Sequence, residues 1–135
     1  MALQYSVAVR NAKLDAVETT VGTSAVLKIR TGAAPANVAA ADTGTVLATL
    51  SLPSDWMAAA SSGTKALAGS WADASADATG TAAHFRIYAS DGTTAHIQGT
   101  VTATGGGGDM TLDNTSIASG QSVTVTSFTL TAGNA

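Results

Sequence analysis

The sequence predicts an all-β single domain: an antiparallel β-sandwich or jelly-roll-like body over residues 23–135, preceded by a short N-terminal helix or arm over residues 1–22. Three observations carry this expectation. Ala, Thr, Ser and Gly dominate, while charged residues make up 11% of the chain and aromatic ones 4%. An ordinary domain is about a quarter charged, and a smooth, Thr-rich composition suits pleated strands that face a core or another protein. From Ser24 onward, apolar residues fall into short runs of about five to nine residues, each closed by Gly, Asn or Ser turns. At 135 residues, a single core is the default.

Composition also bounds function. Six Lys plus Arg against nine Asp plus Glu leave no basic footprint for nucleic acid and no acidic run for a solvating tail. No cysteine is present, which removes disulfides, thiolate zinc sites and thiol nucleophiles together. The apolar runs are too short to span a membrane, and the opening MALQYSVAVRNAKLDAVE places charges where a signal peptide needs its apolar core. The expectation is a chain that is neither membrane-bound nor exported by such a signal. So little charge gives little to keep a monomer apart from its neighbours, which favours assembly.

The N-terminal segment places Leu3, Val7, Leu14, Val17 and Val21 on one helical stripe, interrupted by Arg10, and Gly22 ends it. A helix lying on its own sheet and an arm docking on a neighbouring subunit are equally compatible with that stripe. In the docking case, Arg10 suits an intersubunit ion pair. SAVLKIRTG then alternates Val26 and Lys28 against Leu27 and Ile29, a strand stopped by Gly32, and TVLATLSLP is a second strand closed by Pro53. Between them, AAPANVAAADTG has no period and predicts a surface excursion. SDWMAAASSG supports at most one turn of helix capped by Ser54 or Asp55. In TKALAGSW, Trp71 is expected to close one end of the core. Asp73 and Asp77, in the loop over residues 72–83, match no EF-hand spacing and predict a solvated loop.

HFRIYASDGTTAHIQGTV, residues 84–101, gathers both histidines with Arg86 and Tyr88 around one turn. The apolar pattern predicts a type I turn from Ala89 to Gly92, with Gly92 at positive φ, pairing Phe85 with Ile97 and Ile87 with Ala95. Phe85, Ile87, Ile97 and Val101 then share the buried face. His84, Arg86, Tyr88, Thr94, His96 and Gln98 share a wet one, with Arg86 opposite His96. Two histidines without a third, a cysteine or a matched acid do not make a transition-metal site. Arg86 facing His96 also disfavours an imidazolium for acid–base work. The polar face suits a protein partner or plain solvent. The four glycines at 105–108 lack the Lys-Ser or Lys-Thr of a phosphate loop and predict a strand connection. In the last stretch Val123 and Val125 differ in parity from Phe128 and Leu130, so a β-bulge is expected near Thr126 or Ser127.

The runs LKIRTGAAPANVAAADTGTVLATLSLPSDWMAAA and GTAAHFRIYASDGTTAHIQGTVTATGGGGDMTLDNTSIASGQSVTVTSFTLTAG resemble a group of small proteins from the structural-gene region of tailed bacteriophages and prophages. Among these, the capsid decoration, or cement, proteins are most similar in size and composition. The resemblance implies a non-enzymatic virion component without a cofactor. It implies binding to the major capsid protein on the outer head surface, with self-association as a dimer or trimer. It brings no catalytic residue. The candidate partner interface is Leu3, Val7, Arg10, Leu14, Val17, Arg86, Tyr88 and His96. Alternatives are a tail, neck or fibre component, or a virion-surface carbohydrate-binding module with Tyr88, Trp56 or Trp71 as stacking platforms. A glycoside hydrolase would need a matched carboxylate pair in a cleft, and the acids here are scattered over loops.

Overall fold

A computed structural model of the chain describes residues 3–133. One helix, α1 (Val7–Val21), precedes eleven strands: β1 (Val26–Arg30), β2 (Val46–Ser51), β3 (Thr64–Ala66), β4 (Trp71–Asp73), β5 (Gly80–Thr81), β6 (His84–Tyr88), β7 (Ala95–Ala103), β8 (Met110–Leu112), β9 (Ser116–Ile117), β10 (Val123–Ser127) and β11 (Thr129–Thr131). The all-β expectation holds. Seven strands form one sheet in the order β2-β1-β6-β7-β8-β10-β4, and β11–β3 and β5–β9 form two-stranded sheets.

The large sheet curls until its two edge strands meet. Its seam is made of carboxylates and loop amides rather than a strand ladder. Asp73 Oδ2 accepts the Thr49 N–H at 3.0 Å, Asp77 Oδ2 accepts the Thr49 hydroxyl at 2.8 Å, and the Asp77 N–H donates to Leu47 O at 2.8 Å. The acids predicted to sit in a solvated loop thus join β2 to the chain leaving β4. The result is a nearly closed, barrel-like sandwich. Leu27, Ile29, Leu47, Leu50, Trp56, Trp71, Phe85 and Ile87 are buried in its core. Trp56, Trp71, Phe128 and Phe85 follow one another through that core with centroids 5.9, 5.5 and 5.6 Å apart. The Trp71 indole N–H donates to Trp56 O at 3.1 Å and to Ala68 O at 3.2 Å. Trp71 fills the core as expected. No helical turn forms around Ser54 and Asp55.

One pair departs from the antiparallel expectation, since β7 and β8 run parallel, with Val101 beside Met110 and Ala103 beside Leu112. Parallel neighbours ordinarily need a crossover of about a dozen residues, yet residues 104–109 alone connect these strands. Glycine makes the tight return possible. Gly105 and Gly107 sit at φ +86° and +81°. A Cβ on Gly106 or Gly108 would lie 2.7 or 2.9 Å from Thr102 side-chain atoms, and the Thr102 hydroxyl accepts the Gly108 N–H. The predicted bulge in the last stretch is present: Val125 pairs with Leu112 but Ser127 with Thr111, so Thr126 is the extra residue. Val123, Val125 and Phe128 thereby all reach the core.

The helix starts at Val7, capped by the Ser6 hydroxyl, which accepts the Val9 N–H at 3.2 Å. It ends at Gly22, whose N–H donates to Glu18 O at 2.9 Å with φ +94°. Leu3 therefore lies outside the helix, which shortens the predicted stripe. What remains packs on the chain's own body through Leu14 and Val21. Polar contacts fix its direction: Asn11 Oδ1 accepts the Gly63 N–H, Asp15 Oδ1 the Ala60 N–H, and Glu18 Oε1 the Met57 N–H. The buried Lys65 ammonium lies 2.8 Å from both Asp15 and Glu18.

Candidate functional site

The 84–101 hairpin forms, and Gly92 adopts φ +70° as predicted, with its N–H donating to Ala89 O. The register differs from the expected one. Phe85 faces Gly99 rather than Ile97, Ile87 faces Ile97 rather than Ala95, and Arg86 faces Gln98 rather than His96. The cause lies at the turn. Asp91 Oδ1 accepts the N–H groups of Thr93 and Thr94, and its other oxygen takes the Thr94 hydroxyl. These bonds, the Thr94 hydroxyl's foremost, hold the Asp91 carboxyl far below the usual carboxylate range. The loop widens, Ala89 N–H bonds to Thr94 O instead of pairing with Thr93, and His96 becomes a bulge residue between the pairs Tyr88–Ala95 and Ile87–Ile97.

The β6 half of the face predicted to be wet is dry, while on the other arm Thr94 is exposed and His96 and Gln98 are half-buried. All five residues of β6 are buried, Arg86 and His84 included. The segment 33–44, predicted to be a surface excursion, folds back over that face as a strap. Its neck is closed by the Thr31 N–H on Thr45 O and the Thr45 N–H on Thr31 Oγ1. Gly44 is obligatory there, because at φ +72° a Cβ would stand 2.0 Å from Thr31 O. The strap is held down by side chains from three strands. Arg86 donates to Asp42 Oδ1 at 2.7 Å, to Asn37 O at 3.0 Å and to Gln98 Oε1 at 2.9 Å. Gln98 in turn donates to Pro35 O at 2.9 Å. Arg30 reaches Asp42 Oδ2 at 2.8 Å, and the Tyr88 hydroxyl donates to Asp42 Oδ1 at 2.8 Å. His84 Nδ1 lies 2.7 Å from Gly32 O, so this nitrogen carries the proton and donates.

Burial pushes the Asp42 carboxyl up, but the Tyr88 hydroxyl, the Arg86 guanidinium and the charge of Arg30 outweigh it and hold it below its ordinary value. Burial and the neighbouring Asp42 push the Tyr88 phenol up. Chemically the cluster is a clasp: one carboxylate is shared by two guanidiniums and a phenol, and the donors that hold the strap end on strap carbonyls. Among the described residues, no group of three or more His, Cys, Asp or Glu is placed to hold a metal ion. A surface groove of about 580 Å³ runs beside the helix past Asp15, Glu18, Asp55 and Lys65. Asp15 and Glu18 there are already bonded to Lys65.

No family model, no curated protein and no solved structure matches this chain.

The candidate interface residues separate into two groups. Arg86, Tyr88 and Leu14 are buried within their own chain. Arg10 donates to Ala132 O at 3.3 Å instead of standing ready for a partner. Leu3 and Val7, by contrast, are 68% and 47% exposed. Val17 and His96 line a shallow groove of about 300 Å³ between α1 and β7, together with Lys13, Ala16 and Ile97. The stacking platforms of a carbohydrate module do not survive, because Trp56, Trp71 and Tyr88 are each 0% exposed. Sequence reasoning missed Asp42, Arg30 and Gln98 as clasp residues. The available signal was the presence of Arg30 and Arg86 on two strands that also carry the core residues Leu27, Ile29, Phe85 and Ile87, since buried guanidiniums demand a carboxylate.

Proposed function

We infer that this chain is a non-enzymatic structural component of a tailed-phage particle, a decoration protein that binds the outer head surface and stabilises the capsid lattice. Its partners in this reading are the major capsid protein and further copies of itself, and its place is the virion. The observation that carries the reading is the contrast between a closed, weakly charged β body and an apolar N-terminal segment left in solvent. Leu3, Tyr5, Val7 and Val9 are between 40% and 68% exposed, and large apolar side chains gathered at the surface of one short segment support a docking role for it. The resemblance read from the sequence to small tailed-phage structural proteins is what suggests the particle context. Internal use of Arg10, Leu14, Arg86 and Tyr88 narrows the docking surface to residues 3–9 and, separately, the groove lined by Val17 and His96. The mechanism is addition of this segment across a subunit boundary, where apolar burial and main-chain hydrogen bonds oppose expansion of the shell.

Mass spectrometry of purified particles tests the reading through copy number relative to the major capsid protein. Hundreds of copies per particle are expected. A dozen or fewer would move the protein to the neck, tail or fibre, and complete absence from particles would overturn the structural role.

A further inference from the structure

Strand β8 fills only half of the lane it occupies. It lies between β7 and β10, paired with Val101–Ala103 on one side and with Val125 and Ser127 on the other. Beyond Met110 the chain turns away into the glycine loop, while β7 continues back to Ala95 and the chain after β10 continues into β11. The remaining half of the lane is an open cavity of about 460 Å³, lined by Ile97 and Gln98 on one wall and by Thr129, Leu130 and Thr131 on the other, with Phe85 and Phe128 also lining it.

Both walls are strand edges without a strand neighbour among the described residues. On β7, the Val101 N–H bonds toward β6, to Ala83 O, whereas the Thr100 N–H points the other way and is taken by the Asp109 carboxylate. Main-chain groups alternate along a strand, so those of Gln98 face the lane. On β11, Phe128 O accepts from Leu67 and the Ala132 N–H donates to Gly63 O, both toward the β3 side. The same alternation turns the main chain of Thr129 and Thr131 into the lane. Unpaired main-chain groups on either side of a pocket that takes alternate side chains are the recognition features of strand addition.

The chain itself carries a matching segment. Leu3-Gln4-Tyr5-Ser6-Val7 alternates apolar and polar residues with period two, the pattern of a strand with one buried face. In this chain it lies on no sheet: Ser6 caps α1 and Val7 begins it, so strand formation draws these two residues out of the first turn of the helix, and Leu3, Tyr5 and Val7 are 68%, 40% and 47% exposed. We propose that the N-terminal arm of a second copy of this chain inserts as a strand between β7 and β11, continuing the line of β8, so that two copies exchange arms. Reciprocal exchange of two such arms buries on the order of 1,500–2,000 Å² in total, which is what a stable specific dimer needs, and the two-fold arrangement uses the same surface on both copies. The inference rests on the self-association in the proposed reading and uses the same arm, but it is measured on the purified protein alone, so its failure is distinguishable from absence of the protein from particles.

The absence of cysteine from the sequence makes the test direct. Single variants Gln4→Cys and Thr129→Cys are mixed, oxidised and digested, and the disulfide-linked peptides are identified by mass spectrometry. A mixed disulfide joining position 4 of one chain to position 129 of another is expected, and light scattering should show the unmodified protein as a dimer. Two variants remove the contact without touching the fold: Leu3→Asp with Val7→Asp, where position 7 opens the helix and tolerates an acid, and Thr129→Pro, which deletes an N–H that the β3 ladder does not use. Each should raise the dimer dissociation constant at least tenfold with an unchanged circular dichroism spectrum. A monomeric unmodified protein, a disulfide formed only within one chain in the Gln4→Cys/Thr129→Cys double variant, or dimers that persist in both blocking variants would each overturn the proposal.

Discussion

Asp42 holds two guanidiniums on one carboxylate, and its titration has a definite sign. Its folded carboxyl binds a proton less readily than the same group in the unfolded chain, whose pKa is about 3.9. The clasp therefore stabilises the fold above about pH 4, and its contribution fades as pH falls through the lower folded value. Asp42→Ala leaves Arg30 and Arg86 buried without their shared anion and should cost about 2–4 kcal/mol at pH 7, with the carboxylate's partial exposure keeping the loss below that of a fully buried pair. Urea unfolding at pH 7 and at successively lower pH should show the gap to the unmodified protein closing below about pH 4; a gap independent of pH would assign the cost to packing. Glycines give a second residue-scale contrast. At Gly44 an added methyl meets the Thr31 carbonyl at 2.0 Å, whereas at Gly92, also at positive φ, nothing lies within 4 Å. Gly92→Ala should cost only the left-handed conformation, about 1–2 kcal/mol, and Gly44→Ala clearly more, as thermal unfolding of the two variants would show.

At the scale of elements, the hairpin marks how far pattern reading reaches. Parity identified Phe85 and Ile87 as core and placed Gly92 at the turn, because both follow from the pleat and from left-handed backbone. Register did not follow, because it depends on one carboxylate: Asp91 collects three hydrogen bonds at the tip and moves the pairing by two residues along β7. The same limit explains the polar face. Alternation shows that Arg86 and Tyr88 share a side of the sheet, but only the path of residues 33–44 decides whether that side meets water. The bulge at Thr126 was legible because a change of parity in one strand has few other remedies. Phe85 remains a core anchor in the observed register, edge-on to Phe128 at 5.6 Å. Phe85→Ala should thus cost about 3–5 kcal/mol, while His96→Ala, at a half-exposed bulge, should change stability by less than about 0.5 kcal/mol. Chemical denaturation of the pair measures both, and equal losses would contradict the assignment of faces.

For the whole molecule, the seam is what separates a closed barrel from an open curled sheet. Thr49 is held there by the carboxylates of Asp73 and Asp77 rather than by a strand partner. Asp73→Ala should leave the body folded but speed amide exchange of β2 near Thr49 by tenfold or more relative to β1, since removing the acceptor frees that N–H. Uniform exchange along both strands would show that the seam contributes nothing local. This closure was not legible in the sequence, where Asp73 and Asp77 read as loop acids, because it joins residues far apart in the chain whose meeting depends on the curl of all seven strands. The helix tells the same story: its caps, Ser6 and Gly22, are local signals, but its docking on Lys65 is not. The aromatic chain through the core also has an optical consequence. The sequence holds two tryptophans; both are shielded from water, their rings are 5.9 Å apart, and the indole N–H of Trp56 is bonded to the carbonyl of Gly22 at the helix end at 2.9 Å. Fluorescence from the native protein will be blue-shifted, and it will carry separable information about two events. Lifting of the helix breaks the Gly22 bond and perturbs Trp56 first, whereas Trp71 reports only when the barrel opens, so the emission spectrum is a built-in gauge of whether helix and body come apart in one step or two.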